Sequence, residues 1–275
     1  MTTQQIPDPA TSFAARYGDR VTDLDAVSSV IEVQLAHRSV RKFGSGDVSD
    51  TQLRSIIAAA QSASTSSNLQ PWSVIAVRDA DRRARLAALS NNQQFITEAP
   101  LFLVWVADFG RAHRLAERSG LPLGGADYLE STILGFVDTS LAAQNAAIAA
   151  ESLGFGIVFV GGIRNHPIDV AAELALPAHT VATFGLAVGV PDPTEDADIK
   201  PRLPQEAVLH HEQYDASAAD AHIDGYDEVL ATYNRAHSLD GTWSARVLAR
   251  LADAAALHGR DRLREQLIER GLPSQ

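Results

Sequence analysis

The sequence predicts a mixed fold of helices around a few strands, α+β or α/β, and three observations carry that expectation. Residues 101–107 (Leu101 to Ala107) are a near-continuous apolar run after Pro100, the pattern of a strand buried on both faces. Residues 126–153 are the longest helical stretch, with Leu129, Ile133, Leu134, Val137, Leu141, Ala142 and Ile148, and Gly154 stands where a helix commonly stops. Two further apolar runs, 155–160 and 181–190, read as strands.

Residues 1–20 read as a polar tail or as an arm lying on a partner. Leu24, Val27, Val30, Ile31 and Leu35 recur at helical spacing and lead a helix into residues 37–41. Ser49 followed by Gln52 is a capping-box signal for a second helix through Leu53, Ile56, Ile57 and Ala60. Residues 64–71 form a polar loop, and Ser73 to Val77 a short strand. The helix at 126–153 is apolar nearly all round, which predicts a core helix. Its length also suits a membrane span, against which Asp138, Gln144, Asn145 and Glu151 argue. Residues 192–204 read as a Pro- and Asp-rich loop. Helical pattern returns at about 217–236 and 243–270.

With 275 residues the chain can bury a substantial core. Its formal net charge of −11 argues against nonspecific nucleic-acid binding and against an anionic membrane surface. It contains no cysteine, so disulfides, thiolate nucleophiles and iron–sulfur clusters are excluded. The first 20 residues lack the apolar core of a signal peptide, and a cytoplasmic protein is expected.

In this acidic chain the cations gather in two places: His37-Arg38-Ser39-Val40-Arg41, and Lys200-Pro201-Arg202 behind Glu195, Asp196 and Asp198. Lysine occurs only at positions 42 and 200. Arginine grips phosphate through two donors and lysine adds a point charge, so the pair of clusters reads as an anion clamp or as two unrelated surface groups. Gly154, Gly156, Gly161 and Gly162 approach a dinucleotide-binding pattern in the wrong order, since Gly154 and Gly156 follow a helix and open a strand. Gly161-Gly162 closes a strand, where backbone can approach a flat ligand or merely turn. His210 and His211 are adjacent and face different ways, and no HExxH, G-x-S-x-G or Walker A motif occurs. The loop Thr65-Ser66-Ser67-Asn68 with Gln70 offers compact donors and acceptors, or helix caps in solvent. With no convincing protein nucleophile or metal site, an organic cofactor is expected to supply any chemistry.

These segments together resemble the nitroreductase superfamily: HRSVR at 37–41, STSSNLQPW at 64–72, NNQQF at 91–95, VDTSLAAQNAAIAAESLG at 137–154, FGIVFVGGIRN at 155–165, LPAHTVATFGLAVGVP at 176–191 and DIKPRLP at 198–204. Within it they are similar to the NADPH-type branch of the major oxygen-insensitive nitroreductase and flavin reductase P. The resemblance spans roughly residues 24–270, leaving 1–23 as an N-terminal extension of a domain at 24–275. It implies an α+β sandwich around a central, mostly antiparallel sheet, an intertwined homodimer, and FMN at the subunit interface. Carried over, His37, Arg38, Ser39, Val40 and Arg41 hold FMN, with Arg41 at the pyrimidine edge. Lys200, Pro201 and Arg202 complete the phosphate clamp. Phe159, Val160, Gly161 and Gly162 run along the isoalloxazine edge, and Gln93 bonds the ribityl or pyrimidine end. Thr65, Ser66 and Ser67 come from the other subunit. No protein residue is implied to be catalytic: hydride passes from NADPH to FMN and on to nitroaromatics, quinones or free flavin in ping-pong order.

Asn68, Arg235 and Arg260 are the implied substrate and NADPH residues. Asn68 stands where a relative has an aromatic. Arg235, with His237 near it, is the one arginine in a segment where close relatives carry several for the NADPH 2′-phosphate, so NADH remains a possible reductant. Two other readings use the same residues: a reductase feeding reduced FMN to a separate monooxygenase, and a non-enzymatic FMN-binding protein.

Overall fold

The computed structural model describes residues 7–18 and 26–275, and Leu24 lies outside them. The chain divides into two compact units, Met1–Arg38 with Asp196–Leu257, and Ser39–Glu195 with His258–Gln275.

The larger unit is built on a four-stranded sheet of β1 (Trp72–Val77), β2 (Leu101–Asp108), β3 (Gly156–Val160) and β4 (Thr180–Gly189). Its strand order is β1-β2-β4-β3 and every pair is antiparallel. The apolar run in β2 is buried along its length, as its lack of alternation predicts, because both faces of the sheet are covered. Opposite it, Gly185 leaves room for a ring: a Cβ there would lie 2.1 Å from Phe102 Cζ.

One face of the sheet packs Leu103, Trp105 and Leu186 against α7 (Leu129–Ser152) and α3 (Asp50–Gln61). The contact face of α7 is alanine: Ala142, Ala143, Ala146, Ala147 and Ala150 are all 0–1% exposed. Small side chains let the helix lie close to the sheet. The other face packs Phe102, Val104 and Ala187 with Leu86 of α4 (Ala80–Leu89), Ile96 of α5 (Phe95–Glu98) and Val170 of α8 (Pro167–Glu173). Helix α6 (Gly110–Ser119) follows β2. The capping box of Ser49 and Gln52 is present at the start of α3.

The structure corrects the sequence expectations for two helical stretches. The long helix starts at Leu129, since residues 124–127 form a 3-10 turn. It is also not buried all round: Leu129, Ile133, Val137 and Leu141, one stripe at i, i+4 spacing, are 44–50% exposed. The stretch 243–270 divides into α11 (Trp243–Arg250) and α12 (Leu263–Glu269), interrupted at Gly259 with φ +84°.

The smaller unit holds α1 (Pro9–Tyr17), α2 (Ser29–Ala36), α9 (Ala216–Asp220), α10 (Ile223–Ala236) and α11. Residues 9–17 are a folded helix rather than a polar tail. Asp8 caps it by accepting from the Thr11 N–H at 3.2 Å, and Pro9 occupies the first turn, where its missing N–H costs nothing. Ser12, Phe13 and Arg16 form its buried face. Helix α2 begins at Ser29, with the Ser28 hydroxyl accepting from the Ile31 N–H.

Candidate functional site

The cations of residues 198–202 stand on a backbone fixed at several points. Tyr233 Oη donates to the Asp198 carbonyl at 3.0 Å and Tyr226 Oη to the Pro201 carbonyl at 2.9 Å. The Arg202 N–H donates to the Arg16 carbonyl at 2.9 Å. Burial raises the pKa of both phenols, so they remain donors at neutral pH; for Tyr226 the nearby Arg202 and Arg246 guanidiniums oppose the shift. Pro201 is buried and Arg202 exposed, so the backbone is anchored while the guanidinium faces solvent. Lys200 Nζ lies 5.5 Å from the centroid of the Tyr233 ring, within cation–π range. Lys200 and Arg202 line a cavity of about 570 Å³ together with Tyr17, Tyr226, Trp243 and Arg246. In the same unit His37 caps the C-terminus of α2, and Arg38 follows it, partly buried. Arg235 is exposed in the last turn of α10, where its guanidinium donates to Thr232 Oγ1 at 3.0 Å. His237 turns to the acidic loop instead, with Nδ1 2.9 Å from Asp196 Oδ1.

In the larger unit, residues 39–40 lie alongside β3. Ser39 bridges Ile157 in parallel register and the Val40 N–H donates to the Ile157 carbonyl at 2.9 Å. Val40 is 2% exposed, and its methyls occupy the space that a Cβ on Gly156 would need, 2.6–2.8 Å away. The Val40 side chain is therefore a packing anchor, and its neighbours Ser39 and Arg41 carry the polar groups. The Arg41 N–H donates to Glu195 Oε1 at 2.6 Å.

At the end of β3, Phe159 is 37% exposed and packs edge-on against Phe184. The two glycines that follow have different reasons to be glycine. A Cβ on Gly162 would sit 2.8 Å from the Ser90 carbonyl oxygen, so close backbone packing excludes one. A Cβ on Gly161 would meet only two guanidinium nitrogens, Arg164 Nη2 at 3.5 Å and Arg260 Nη1 at 3.8 Å. Packing tolerates a side chain at Gly161, and the open backbone there is available to a ligand.

The polar loop is held from below. Thr65 Oγ1 donates to Asp138 Oδ2 at 2.5 Å, and the Ser66 N–H reaches the same carboxylate at 3.2–3.3 Å. The Gln70 N–H donates back to Thr65 Oγ1 at 2.9 Å. Arg111 clamps the far end through the Gln70 and Trp72 carbonyls at 2.6 and 2.7 Å. Ser67, Asn68 and Gln70 have φ of 48°, 54° and 51°, a left-handed backbone that is uncommon for residues other than glycine and asparagine. Gln93 follows two more such residues, Asn91 and Asn92, and its carbonyl accepts from the Ile96 N–H at the start of α5.

The expected residues thus divide between the units. His37, Arg38, Lys200, Pro201, Arg202 and Arg235 belong to the smaller one. Ser39, Val40, Arg41, Thr65, Ser66, Ser67, Asn68, Gln93, Phe159, Val160, Gly161, Gly162 and Arg260 belong to the larger. In the larger unit the structure brings Arg260 to Gly161 and residues 39–40 to β3. Thr65 and Ser66 are bonded to α7, and Gln93 to α5. Sequence reasoning missed Arg16, Arg111, Asp138 and Arg164. Asp138 had a signal, a lone acid in an apolar helix face, and so did Arg164, two positions beyond the glycine pair. Nothing local in the sequence marks Arg16 or Arg111.

In the smaller unit, Lys200 and Arg202 offer cations on a fixed backbone, which suits an anionic group such as a phosphate. In the larger unit, the turn at Gly161 offers unhindered backbone beside two guanidiniums.

Comparison with known proteins gives a consistent result. Residues 35–190 match the profile of the nitroreductase family, and residues 200–275 match that of the nitroreductase family C-terminal domain. The chain is similar to a NADPH-flavin oxidoreductase of Vibrio harveyi, 37% identical over 235 residues, covering 84% of this chain and 95% of that protein. It is 40% identical over 224 residues to an oxygen-insensitive NADPH nitroreductase of Salmonella typhimurium, covering 80% of this chain and 90% of the relative. Among solved structures, it resembles the V. harveyi NADPH:FMN oxidoreductase complexed with NAD+ (TM-score 0.78, 35% identity, 90% of this chain and 100% of that one). It also resembles a hypothetical oxidoreductase from Bacillus subtilis (TM-score 0.84, 34% identity, 90% and 98%).

Proposed function

The chain belongs to the nitroreductase family, and from that membership we propose that it is an FMN-dependent NAD(P)H oxidoreductase with NADPH as its principal reductant. FMN, when bound, would supply the redox chemistry that links NADPH to a nitroaromatic, quinone or flavin acceptor in ping-pong order. The chain's own work is to bind, orient and select.

Lys200 and Arg202 take the phosphate, joined by His37 and Arg38. Arg41 supplies a cation at the pyrimidine edge of the flavin, and Gly161 admits the ring to backbone. Arg260 and Asn68 face the second substrate. The observation that carries this reading is the 198–202 segment, whose anchored backbone presents two cations in a strongly acidic chain. The protein acts as a homodimer in the cytoplasm, with Thr65, Ser66 and Ser67 reaching the partner's FMN. The exposed stripe of Leu129, Ile133, Val137 and Leu141 supports an apolar interface.

Purified protein is expected to be yellow, with one FMN released per subunit on denaturation, and dimeric by light scattering. Steady-state assays with NADPH and NADH against nitrofurazone, a quinone and FMN then rank the acceptors. Arg202→Ala is expected to weaken FMN binding about 10- to 100-fold, the scale of one charge-assisted phosphate contact. Unchanged affinity in that variant would remove the clamp. A folded monomer with full FMN would remove the interface. Two relatives from Bacillus subtilis are named FMN reductases, which favours FMN itself as an acceptor; release of reduced flavin in stopped flow separates that role from nitro or quinone reduction.

A further inference from the structure

Helix α1 lies outside the residues that match the family profile, which begin at residue 35. Its last turn carries Arg16, 6% exposed. The guanidinium is spent on backbone carbonyls. Nε donates to Leu35 O at 2.9 Å, and Nη2 to His37 O at 2.5 Å and Gln34 O at 3.4 Å. Nη1 reaches Lys200 O at 3.5 Å. The Arg16 carbonyl in turn accepts the Arg202 N–H at 2.9 Å.

Three of these acceptors are carbonyls of the last turn of α2 and its cap, where a helix runs out of its own donors; Gln34 O also accepts the His37 N–H at 3.3 Å. A cation at a helix C-terminus is also favoured by the helix dipole. The fourth, Lys200 O, belongs to the segment that bears Lys200 and Arg202, as does the Arg202 N–H that donates to the Arg16 carbonyl. One residue therefore ties the two cationic clusters of the sequence, 37–38 and 200–202, to each other. Only arginine, with five donors in a rigid planar fork, can serve so many carbonyls at once, and lysine cannot reproduce that geometry. The next residue, Tyr17, walls the cavity that Lys200 and Arg202 line.

We infer that Arg16 is a positioning residue for cofactor phosphate: it holds His37-Arg38 and Lys200-Arg202 in the arrangement that receives the FMN phosphate, so that the N-terminal helix is part of the cofactor site. The inference rests on the phosphate clamp proposed above. Arg16 does not touch phosphate itself, because its donors are committed to carbonyls. Its effect runs through the backbone of the residues that do.

The test compares FMN with riboflavin, which has the same ring and no phosphate. Apoprotein is titrated with each ligand by flavin fluorescence quenching, for the wild type, Arg16→Gln and Arg16→Lys, with folding checked by circular dichroism. Wild type is expected to prefer FMN strongly. Both variants are expected to lose FMN affinity about 10- to 100-fold, while riboflavin affinity moves by less than about threefold. Should Arg16→Gln fail to fold, Arg16→Lys carries the comparison alone. A variant that keeps the wild-type preference for FMN overturns the inference, as does a parallel loss for both ligands, which marks Arg16 as purely structural. A wild type with no preference for FMN over riboflavin overturns the phosphate clamp instead, so the two failures are distinguishable.

Discussion

Asp138 holds Thr65 from inside the fold: its carboxylate, 3% exposed in α7, accepts the Thr65 hydroxyl at 2.5 Å and the Ser66 N–H at 3.2–3.3 Å. The carboxylate thus serves two donors in a loop whose backbone is left-handed at Ser67 and Asn68. Removing it leaves a part-buried hydroxyl and amide without their acceptor. Asp138→Ala is expected to lower the unfolding free energy by about 2–3 kcal/mol, since hydrogen bonds to charged groups contribute about 1.5–3 kcal/mol each and do not add fully. Asp138→Asn retains an acceptor oxygen and is expected to lose about half as much. Urea denaturation of the apoprotein measures both. Wild-type stability in Asp138→Ala would mean the loop keeps its shape without this anchor.

The adjacent glycines at the end of β3 separate packing from ligand approach. Gly162→Ala drives a methyl to 2.8 Å from the Ser90 carbonyl oxygen and 3.2 Å from its carbon, with only backbone to yield. Overpacking of this kind costs about 1–3 kcal/mol, so thermal stability is expected to fall. Gly161→Ala meets only guanidinium nitrogens at 3.5 and 3.8 Å, ordinary contact distances. Its stability is expected to match wild type while FMN binding weakens, because the methyl occupies the surface assigned to the flavin ring. Paired melting curves and FMN titrations decide the matter. If Gly161→Ala binds FMN as wild type does, the ring lies elsewhere.

His113 and His179 stack with ring centroids 3.4 Å apart and planes within 8°. Burial, then the neighbouring His179, lowers the His113 pKa below its ordinary value of 6.5, and the Asp127 carboxylate opposes them. With the folded value below the unfolded one, the unfolded chain binds more protons between the two. The stabilisation is therefore present above about pH 6.5 and is lost as pH falls toward the lower folded value. Melting temperature of the apoprotein is expected to drop from about pH 7.5 to about pH 5, and His113→Gln is expected to flatten that part of the profile. An unchanged pH slope in His113→Gln would assign the acid sensitivity to other groups.

The sequence revealed the sheet because β2 and β4 are buried on both faces and so lack the alternation that a half-exposed strand would show. The capping box at Ser49 was legible for the same local reason. Helix α7 was legible as a long helix, though not in its start at Leu129 or in its orientation. Its periodicity mixes an alanine face, which packs, with a stripe of larger side chains, which the chain leaves exposed, and composition ranks those two faces the wrong way round. Residues 9–17 looked polar because only Phe13 marks their apolar face; the contacts that bury Arg16 are with carbonyls 18–184 positions away, which no local pattern reports. Val40 shows the converse: a motif position named for a cofactor spends its side chain against Gly156.

The last expectation concerns the choice between NADPH and NADH. A chain of net charge −11 repels the 2′-phosphate of NADPH unless local cations compensate. Arg235 is exposed at the C-terminal turn of α10 and, among the described residues, its guanidinium donates to Thr232 Oγ1 at 3.0 Å, a neutral hydrogen bond that it can give up to turn to a ligand. Its neighbour His237 is drawn toward Asp196 and Asp198 and adds little positive field there. One arginine acting nearly alone gives a modest preference, about 10- to 100-fold in kcat/KM for NADPH over NADH, from one charge-assisted contact. Arg235→Ala is expected to erase most of that preference by lowering kcat/KM for NADPH while NADH turnover stays nearly constant. Raising ionic strength is expected to mimic the substitution in wild type and to have little effect in the variant, because screening acts on an exposed charge pair. Equal losses for both nucleotides would place Arg235 against the part of the cofactor they share, and the 2′-phosphate would then have to be read by another group.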